Sequence, residues 1–463
     1  MSDREMPFRP GASVSVLGLG VSGTAAARLA TARGAIVYAS DAFAGVEQQA
    51  AAKSLAADGI SAEAGQHDMD RILHSDLVVV SPGISPFSEV RQEISAAGIR
   101  TIAEVELAYG ALRSRVIGIT GTNGKTTATK LAANLLRESG TSAVAGGNIG
   151  EPLSWTAIEP EQPDWVVVEL SSFQLADLEH FRVDIGVLLN LASDHLDRYR
   201  DLQAYYGDKQ KLFAAGDSNT TWILNADDPA VLDLAESVSE GAFLFSLDGP
   251  VERGGWLSDD GILVGNIDGV DERWMPASDL SLLGRHNIGN ALAAAIVARL
   301  AGCPASAVGT GLRMECDLPH RLEPVREMDG VLWINDSKAT NVAATTAAVL
   351  SFDRPIIMML GGRHKGEPYA SIAKAGEGRF KAIIAFGEAA PTIVAEMEDI
   401  APYISVENGM DAAVRSAARH AESGDVVLFS PACSSFDMYP NYEARGEAFI
   451  RAVRALSQVA GSS

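Results

Sequence analysis

Ile117-Gly-Ile-Thr-Gly-Thr-Asn-Gly-Lys-Thr-Thr127 is the stretch that decides the fold. A β-branched run (Val116, Ile117, Ile119) leads into glycines, and Lys125, Thr126 and Thr127 open a segment of helix-forming composition that continues to Arg137. A strand, a glycine turn and a helix N-terminus together make a cradle for polyphosphate. Backbone N–H groups and the helix dipole face the anion, a lysine meets the terminal phosphate oxygens, and a hydroxyl reaches Mg²⁺. The candidate ATP contacts are therefore Gly121, Thr122, Asn123, Gly124, Lys125, Thr126 and Thr127. The strict phosphate-loop pattern asks for glycine five positions before Gly124, where this chain has Ile119.

A second glycine motif lies near the N-terminus. Val14–Leu17 reads as a strand, followed by Gly18-Leu-Gly-Val-Ser-Gly23, an alanine-rich helix to Arg33, and a strand Ile36–Ser40 ending at Asp41. This is G-x-G-x-x-G with an acid about twenty residues on, the fingerprint of a dinucleotide-binding unit. Alone it suggests an NAD enzyme, or glycines that merely tighten a βα turn. A further strand, Leu77–Val80, ends in Ser81-Pro-Gly-Ile84, at the sheet edge where α/β proteins hold ligands.

Beyond the phosphate loop, the apolar run Trp165–Val168 ends in Glu169-Leu-Ser-Ser-Phe-Gln-Leu175. Ile185–Leu189 ends in Asn190-Leu-Ala-Ser-Asp-His-Leu-Asp197. Glu169 follows apolar positions as a metal-binding acid does in phosphate-loop enzymes, although such a glutamate can also be a cap or ion-pair partner. His195 is either a site residue or part of a polar turn.

After Asp317, strands Val331–Ile334, Ile356–Leu360, Ala382–Phe386 and Val426–Ser430 alternate with helices, implying a largely parallel, doubly wound sheet. Their ends gather Lys338, Arg363 and Lys365, which suits an anionic small substrate. Ser246–Trp256 is expected to be a loop or hairpin. The fold is read as α/β in three domains: a Rossmann-like N-terminal domain (1–104), a central phosphate-loop ATPase-type domain (105–317) and a Rossmann-like C-terminal domain (318–463).

A formal net charge of −23 argues against nucleic acid or an anionic membrane as a main partner. Three cysteines without framework or zinc spacing fit a reducing compartment. The polar start M-S-D-R-E-M has no apolar segment behind it, and no run reaches membrane-span length. The expectation is a cytoplasmic protein without membrane insertion.

Taken in order, G-L-G-V-S-G, S-P-G-I, G-T-N-G-K-T-T, G-G-N-I-G, E-L-S-S-F-Q-L, D-H-L-D-R-Y, G-R-H-N-I-G-N, P-H-R-L-E, N-D-S-K-A-T-N and S-P-A-C-S-S-F-D resemble the Mur ligases, ATP-dependent amide-forming enzymes of peptidoglycan assembly. The last two motifs resemble members that add D-glutamate to UDP-N-acetylmuramoyl-L-alanine. The resemblance implies ATP and two Mg²⁺ ions, with Lys125, Thr126 and Glu169 holding phosphates and the first metal. His195 would hold the second metal with a carbamylated lysine. That lysine is read as Lys209, four residues after Tyr205 and four before Phe213, with Lys211 as the rival.

It further implies that Asn290 meets adenine, Arg321 the phosphates and Asp336 the ribose. Asn148 and His195 would face the uridine-sugar substrate, with Val21, Ser22, Asp41 and Ser81 at its nucleotide end. Lys338, Thr340, Lys365, Ser435, Phe436 and Tyr442 would line the D-glutamate site. Ala42 and Phe43 replace the polar pair seen after this aspartate in some members. Folylpolyglutamate synthase shares the ATPase domain, but usually has glycine after the phosphate-loop lysine, where Thr126 stands here, and lacks a large preceding domain.

Overall fold

The computed structural model describes residues 4–194, 199–314 and 316–456. Two compact units emerge. One holds everything described through Leu191 together with Gln203–Asp279 and Asn290–Met314; the other holds 192–194, 199–202, Leu280–Gly289 and 316–456.

The first unit contains two sheets. Strands β1 (Ser13–Leu17), β2 (Ile36–Asp41), β3 (Ser61–Ala64), β4 (Leu77–Val80) and β5 (Thr101–Ala103) form a parallel sheet in the order β3-β2-β1-β4-β5. The order reverses between β1 and β4, so their carboxyl ends part to leave a crevice. Gly18 follows β1 and Ser81 follows β4 at that crevice.

The second sheet comprises β6 (Arg115–Thr120), β7 (Ala143–Gly147), β8 (Trp165–Glu169), β9 (Ile185–Leu188), β10 (Thr221–Asn225), β11 (Phe243–Ser246), β12 (Gly254–Leu257), β13 (Ile262–Asn266) and β14 (Asp271–Pro276). Its order is β14-β13-β12-β11-β10-β9-β6-β8-β7. β6 lies between β9 and β8, so the loop after it opens at a second switch point, next to the ends of both neighbours. Val166, Val167 and Val168 are completely buried because both faces of this parallel sheet are covered.

The second unit carries β15 (Glu323–Met328), β16 (Val331–Asn335), β17 (Ile356–Gly361), β18 (Phe380–Phe386), β19 (Ile404–Glu407) and β20 (Val426–Phe429), in the order β15-β16-β20-β17-β18-β19. The ends of β16, β20 and β17 are thus neighbours, which sets N-D-S-K, S-P-A-C-S-S and G-G-R-H-K side by side.

Two expectations need correcting. The Ser246–Trp256 stretch is a loop only over 247–253, because Trp256 belongs to β12. β11 and β12 pair in parallel, so they are not a hairpin. The third sheet also gains an antiparallel edge, β15 against β16, through a turn at Asp329 and Gly330, both at positive φ (53° and 78°). Positive φ at both central residues matches the right-handed twist of flanking strands. Glu-Pro-Val-Arg-Glu-Met lacks the apolar run by which the other strands are recognised.

One buried acid ties the end of the first sheet to the helix Leu153–Ile158 beside the second. Glu104 follows β5, and its Oε1 accepts the Ser154 N–H at 2.6 Å; Oε2 is buried with no partner among the described residues. Burial raises its pKa to about 7. Because that lies above the unfolded value, its contribution to stability is fully present below about pH 4.5 and is lost as pH rises through about 7. Glu104→Gln is therefore expected to match the native chain in urea unfolding at pH 4.5, and to be more stable at pH 8 by up to about 3 kcal/mol. An equal difference at both pH values would contradict this.

Among the described residues, no helix is long and apolar enough to cross a membrane.

Candidate active site

The phosphate loop is built as the sequence demands. Gly124 has φ +81°, and a Cβ there would lie 2.2 Å from Asn290 Oδ1, so glycine is needed both for conformation and for room. This places Asn290, on the helix Arg285–Leu300, directly over the loop. The helix Lys125–Glu138 begins immediately afterwards.

The loop is clamped from the neighbouring strand end. Asn190, after β9, accepts the Asn123 N–H at 2.8 Å through Oδ1 and donates through Nδ2 to Asn123 O at 2.9 Å. Its backbone oxygen accepts the Thr122 N–H at 3.0 Å. The amide side chain reproduces both halves of a backbone pairing and so fixes the loop without closing it.

Two cations converge on one carbonyl. Lys125 Nζ donates to Gly121 O at 2.9 Å and to Thr122 O at 2.8 Å. Lys209 Nζ donates to the same Gly121 O at 2.8 Å, over the Tyr205 ring at 4.7 Å. Lys209 is only 1% exposed. The rival Lys211 lies on another face of the same helix, half-exposed, and bonds Ala176 O and Asp208.

Glu169 ends β8, in register with Ile119 of the phosphate-loop strand and with Gly147 of β7. Its Oε1 accepts from Asn148 Nδ2 at 2.9 Å. Its Oε2 is buried with no hydrogen-bond partner among the described residues. A buried carboxylate oxygen left unpaired costs about 1–3 kcal/mol or more. An oxygen donor in that condition, beside a threonine-bearing phosphate loop, fits a hard cation such as Mg²⁺. His195 lies outside the described residues.

At the N-terminal crevice, Asp41 Oδ2 accepts the Leu19 N–H at 2.8 Å and Oδ1 the Phe43 N–H at 2.9 Å, so the acid organises the glycine turn. A Cβ on Gly23 would lie 1.8 Å from Gly18 O, and one on Gly18 would meet Ser81 Oγ at 2.6 Å. Tight packing alone therefore requires these glycines. Ser81 Oγ is buried without a partner among the described residues. Val21 is exposed at the start of the helix Val21–Ala32, and Ser22 is the next residue.

In the second unit, Asp336 follows β16, accepts from Ser430 Oγ at 2.7 Å and from the Leu322 N–H at 3.1 Å, and is pushed up to about 7 by burial. Arg321 sits between His320 and Leu322, both at positive φ. Lys338 Nζ lies 3.7 Å from the centre of the Tyr442 ring. Lys365 Nζ instead pairs with Asp194 at 3.0 Å, and Asn341 Nδ2 holds the other Asp194 oxygen at 2.9 Å. The two lysines thus have different partners. Thr340 stands between Lys338 and Asn341, Ser435 is buried, and Phe436 is exposed.

Sequence reading passed over Arg445. Its guanidinium is completely buried and donates to Ser337 Oγ and O, to Cys433 O and to Gly361 O. One side chain therefore ties together the loops after β16, β20 and β17. No local motif marks it, since its partners lie up to 108 positions away.

The Mur ligase middle domain matches residues 119–298, the Mur ligase glutamate ligase domain 320–433, and the N-terminal domain described as Mur ligase MurD-like 12–103. UDP-N-acetylmuramoylalanine–D-glutamate ligase of Acidobacterium capsulatum is 40% identical over 95% of both chains. The chain belongs to the Mur ligase family. A second relative of this Mur ligase, the enzyme of the same name from Salinibacter ruber, is 40% identical over 96% of this chain and 97% of its own. Its fold is also that of a pseudomurein peptide ligase type C from Methanothermus fervidus (TM-score 0.61, 19% identity, 96% of this chain, 100% of that one). The UDP-N-acetylmuramate-alanine ligase of Thermotoga maritima superposes equally well (TM-score 0.61, 17% identity, 96% and 99%).

Proposed function

We propose that this Mur ligase joins D-glutamate to UDP-N-acetylmuramoyl-L-alanine at the expense of ATP, releasing ADP and phosphate, in cytoplasmic peptidoglycan precursor synthesis. The observation that carries this reading is the 40% identity to D-glutamate ligases over 95% of the chain.

A carboxylate is a poor electrophile. The terminal alanine carboxylate of the acceptor attacks the γ-phosphorus of ATP, ADP leaves, and an acyl phosphate forms. The amino group of D-glutamate then attacks the acyl carbon, loses a proton, and expels phosphate as the amide closes. Phosphoryl transfer between anions depends on positioning and charge stabilisation. Lys125 supplies a cation at the loop, the Gly121–Gly124 amides and the Thr127 end of the helix cradle the phosphates, and Asn190 keeps the loop in shape.

Mg²⁺, when bound, neutralises phosphate charge. Thr126 and the unpaired Glu169 oxygen would hold one ion, and His195 with a carbamylated Lys209 a second. Burial of Lys209 beside Lys125 supports this choice over Lys211. A carbamate there would turn one of two crowded cations into an oxygen donor suited to a hard metal.

By resemblance, Asn290 is assigned to adenine, Arg321 to the phosphates and Asp336 to the ribose. Val21, Ser22, Asp41, Ser81, Asn148 and His195 are assigned to the UDP substrate. Lys338, Thr340, Lys365, Ser435, Phe436 and Tyr442 are assigned to D-glutamate. Domain limits of 1–104, 105–317 and 318–463 go with this reading.

Phosphate release measured with UDP-N-acetylmuramoyl-L-alanine crossed with D-glutamate, L-glutamate and D-alanine tests it. Only D-glutamate should support turnover, and equal rates with L-glutamate would refute the assignment. Lys365 should then set specificity. Lys365→Met is expected to raise the KM for D-glutamate about tenfold or more, the scale of one charge-assisted hydrogen bond, with KM values for ATP and acceptor little changed. A rise confined to ATP would move Lys365 to the nucleotide.

A further inference from the structure

The chemistry described above lies at one end of the central sheet, because β6 runs from Arg115 to Thr120 and the phosphate loop follows Thr120. The amino-terminal ends of the strands face the other way. There a cavity of about 1190 Å³ opens between the first sheet's domain and the central one, lined by Arg4, Arg33, Arg100, Arg113, Arg115 and Arg182. Six arginines around one cavity run against the character of a chain with 60 acidic and 37 basic residues.

Four carboxylates, Glu5, Glu106, Asp184 and Asp217, line the cavity too, two fewer than the arginines. Arg100 and Arg115 pair with Glu179 and Asp184. The other four are held by main-chain carbonyls: Arg4 by Leu112 and Ser114, Arg33 by Ala157, Arg113 by Pro160, and Arg182 by Glu179 and Phe181. None of these four forms an ion pair with a carboxylate among the described residues. Carbonyl bonds orient a guanidinium while leaving its full charge in place. Of those carboxylates, Glu106 has both oxygens occupied by the backbone N–H groups of residues 179, 180 and 181. Arg33, Arg113 and Arg182 are exposed and so open to a ligand.

We propose that this cavity is a second anion site, for a small ligand carrying two or more phosphate or carboxylate groups. The planar guanidinium fork matches either group with paired hydrogen bonds. Arg33 and Arg100 come from the N-terminal domain and Arg113, Arg115 and Arg182 from the central one, so a bound polyanion would brace the two together.

Calorimetric titration of the full-length protein with pyrophosphate, and separately with tricarballylate, tests this in magnesium-free buffer at 150 mM NaCl, where weak long-range attraction is screened. Three proteins are compared: native, Lys125→Ala, and Arg113→Gln/Arg182→Gln. An anion bound at the new site should be retained by Lys125→Ala and weakened about tenfold or more in the double arginine variant. That variant should keep its turnover, which reports that it is folded. Tighter binding of one probe identifies phosphate or carboxylate as the preferred group. Binding that survives in the arginine variant and disappears in Lys125→Ala belongs to the phosphate loop and overturns the proposal. No binding of either anion to Lys125→Ala overturns it as well.

Discussion

Lys125→Ala is expected to lower turnover by about a hundredfold or more, the scale of removing one preorganised electrostatic group from a reacting centre, while leaving the protein folded. Lys125 contributes a part-buried side chain whose ammonium meets Gly121 O and Thr122 O. Those bonds aim it at the loop's interior, where transferred phosphoryl charge would gather. The cost falls on kcat because the interaction strengthens as charge develops on the transferring group. A folded Lys125→Ala protein with near-normal phosphate release would remove the lysine from this role.

The second large effect concerns Lys209. Lys209→Ala is expected to lose nearly all activity, and short carboxylates such as acetate are expected to restore part of it by occupying the vacated space. Lys211→Ala should be close to normal, because its ammonium is half-exposed and engaged with Asp208 and Ala176 on another face of the helix. Rescue of Lys211→Ala would reverse the assignment. Rescue of neither variant would leave Lys209 as a cation only, holding Gly121 O in place.

Several strands buried on both faces were legible, though the inner strand Thr221–Asn225 was not read from the sequence. Leu77–Val80 stands where its unbroken apolar run puts it, and so does Trp165–Val168, which β8 extends by one residue to Glu169. Runs of this kind announce themselves because parallel strands covered on both faces must be apolar throughout. The antiparallel additions were not legible. Glu323–Met328 and Asp271–Pro276 are only partly buried edge strands, each with three charged residues, so they lack the unbroken apolar run that marks the others.

By itself the sequence determined what depends on neighbours along the chain: a loop that needs glycine at Gly124, a lysine and threonine at the head of its helix, and an acid at the end of a buried strand. These are short-range requirements, fixed by backbone conformation and by the few residues on either side. Only the tertiary structure decided what depends on strand order. β6 between β8 and β9 sets Glu169 and Asn190 on either side of the phosphate loop. The helix Leu202–Ala214 buries Lys209 and leaves Lys211 half-exposed, though the two stand two positions apart. β16, β20 and β17 set side by side give Arg445 its carbonyl partners. The physical reason is common to all three: hydrogen bonding and desolvation act through space, and the partners here lie from 12 to 108 positions apart.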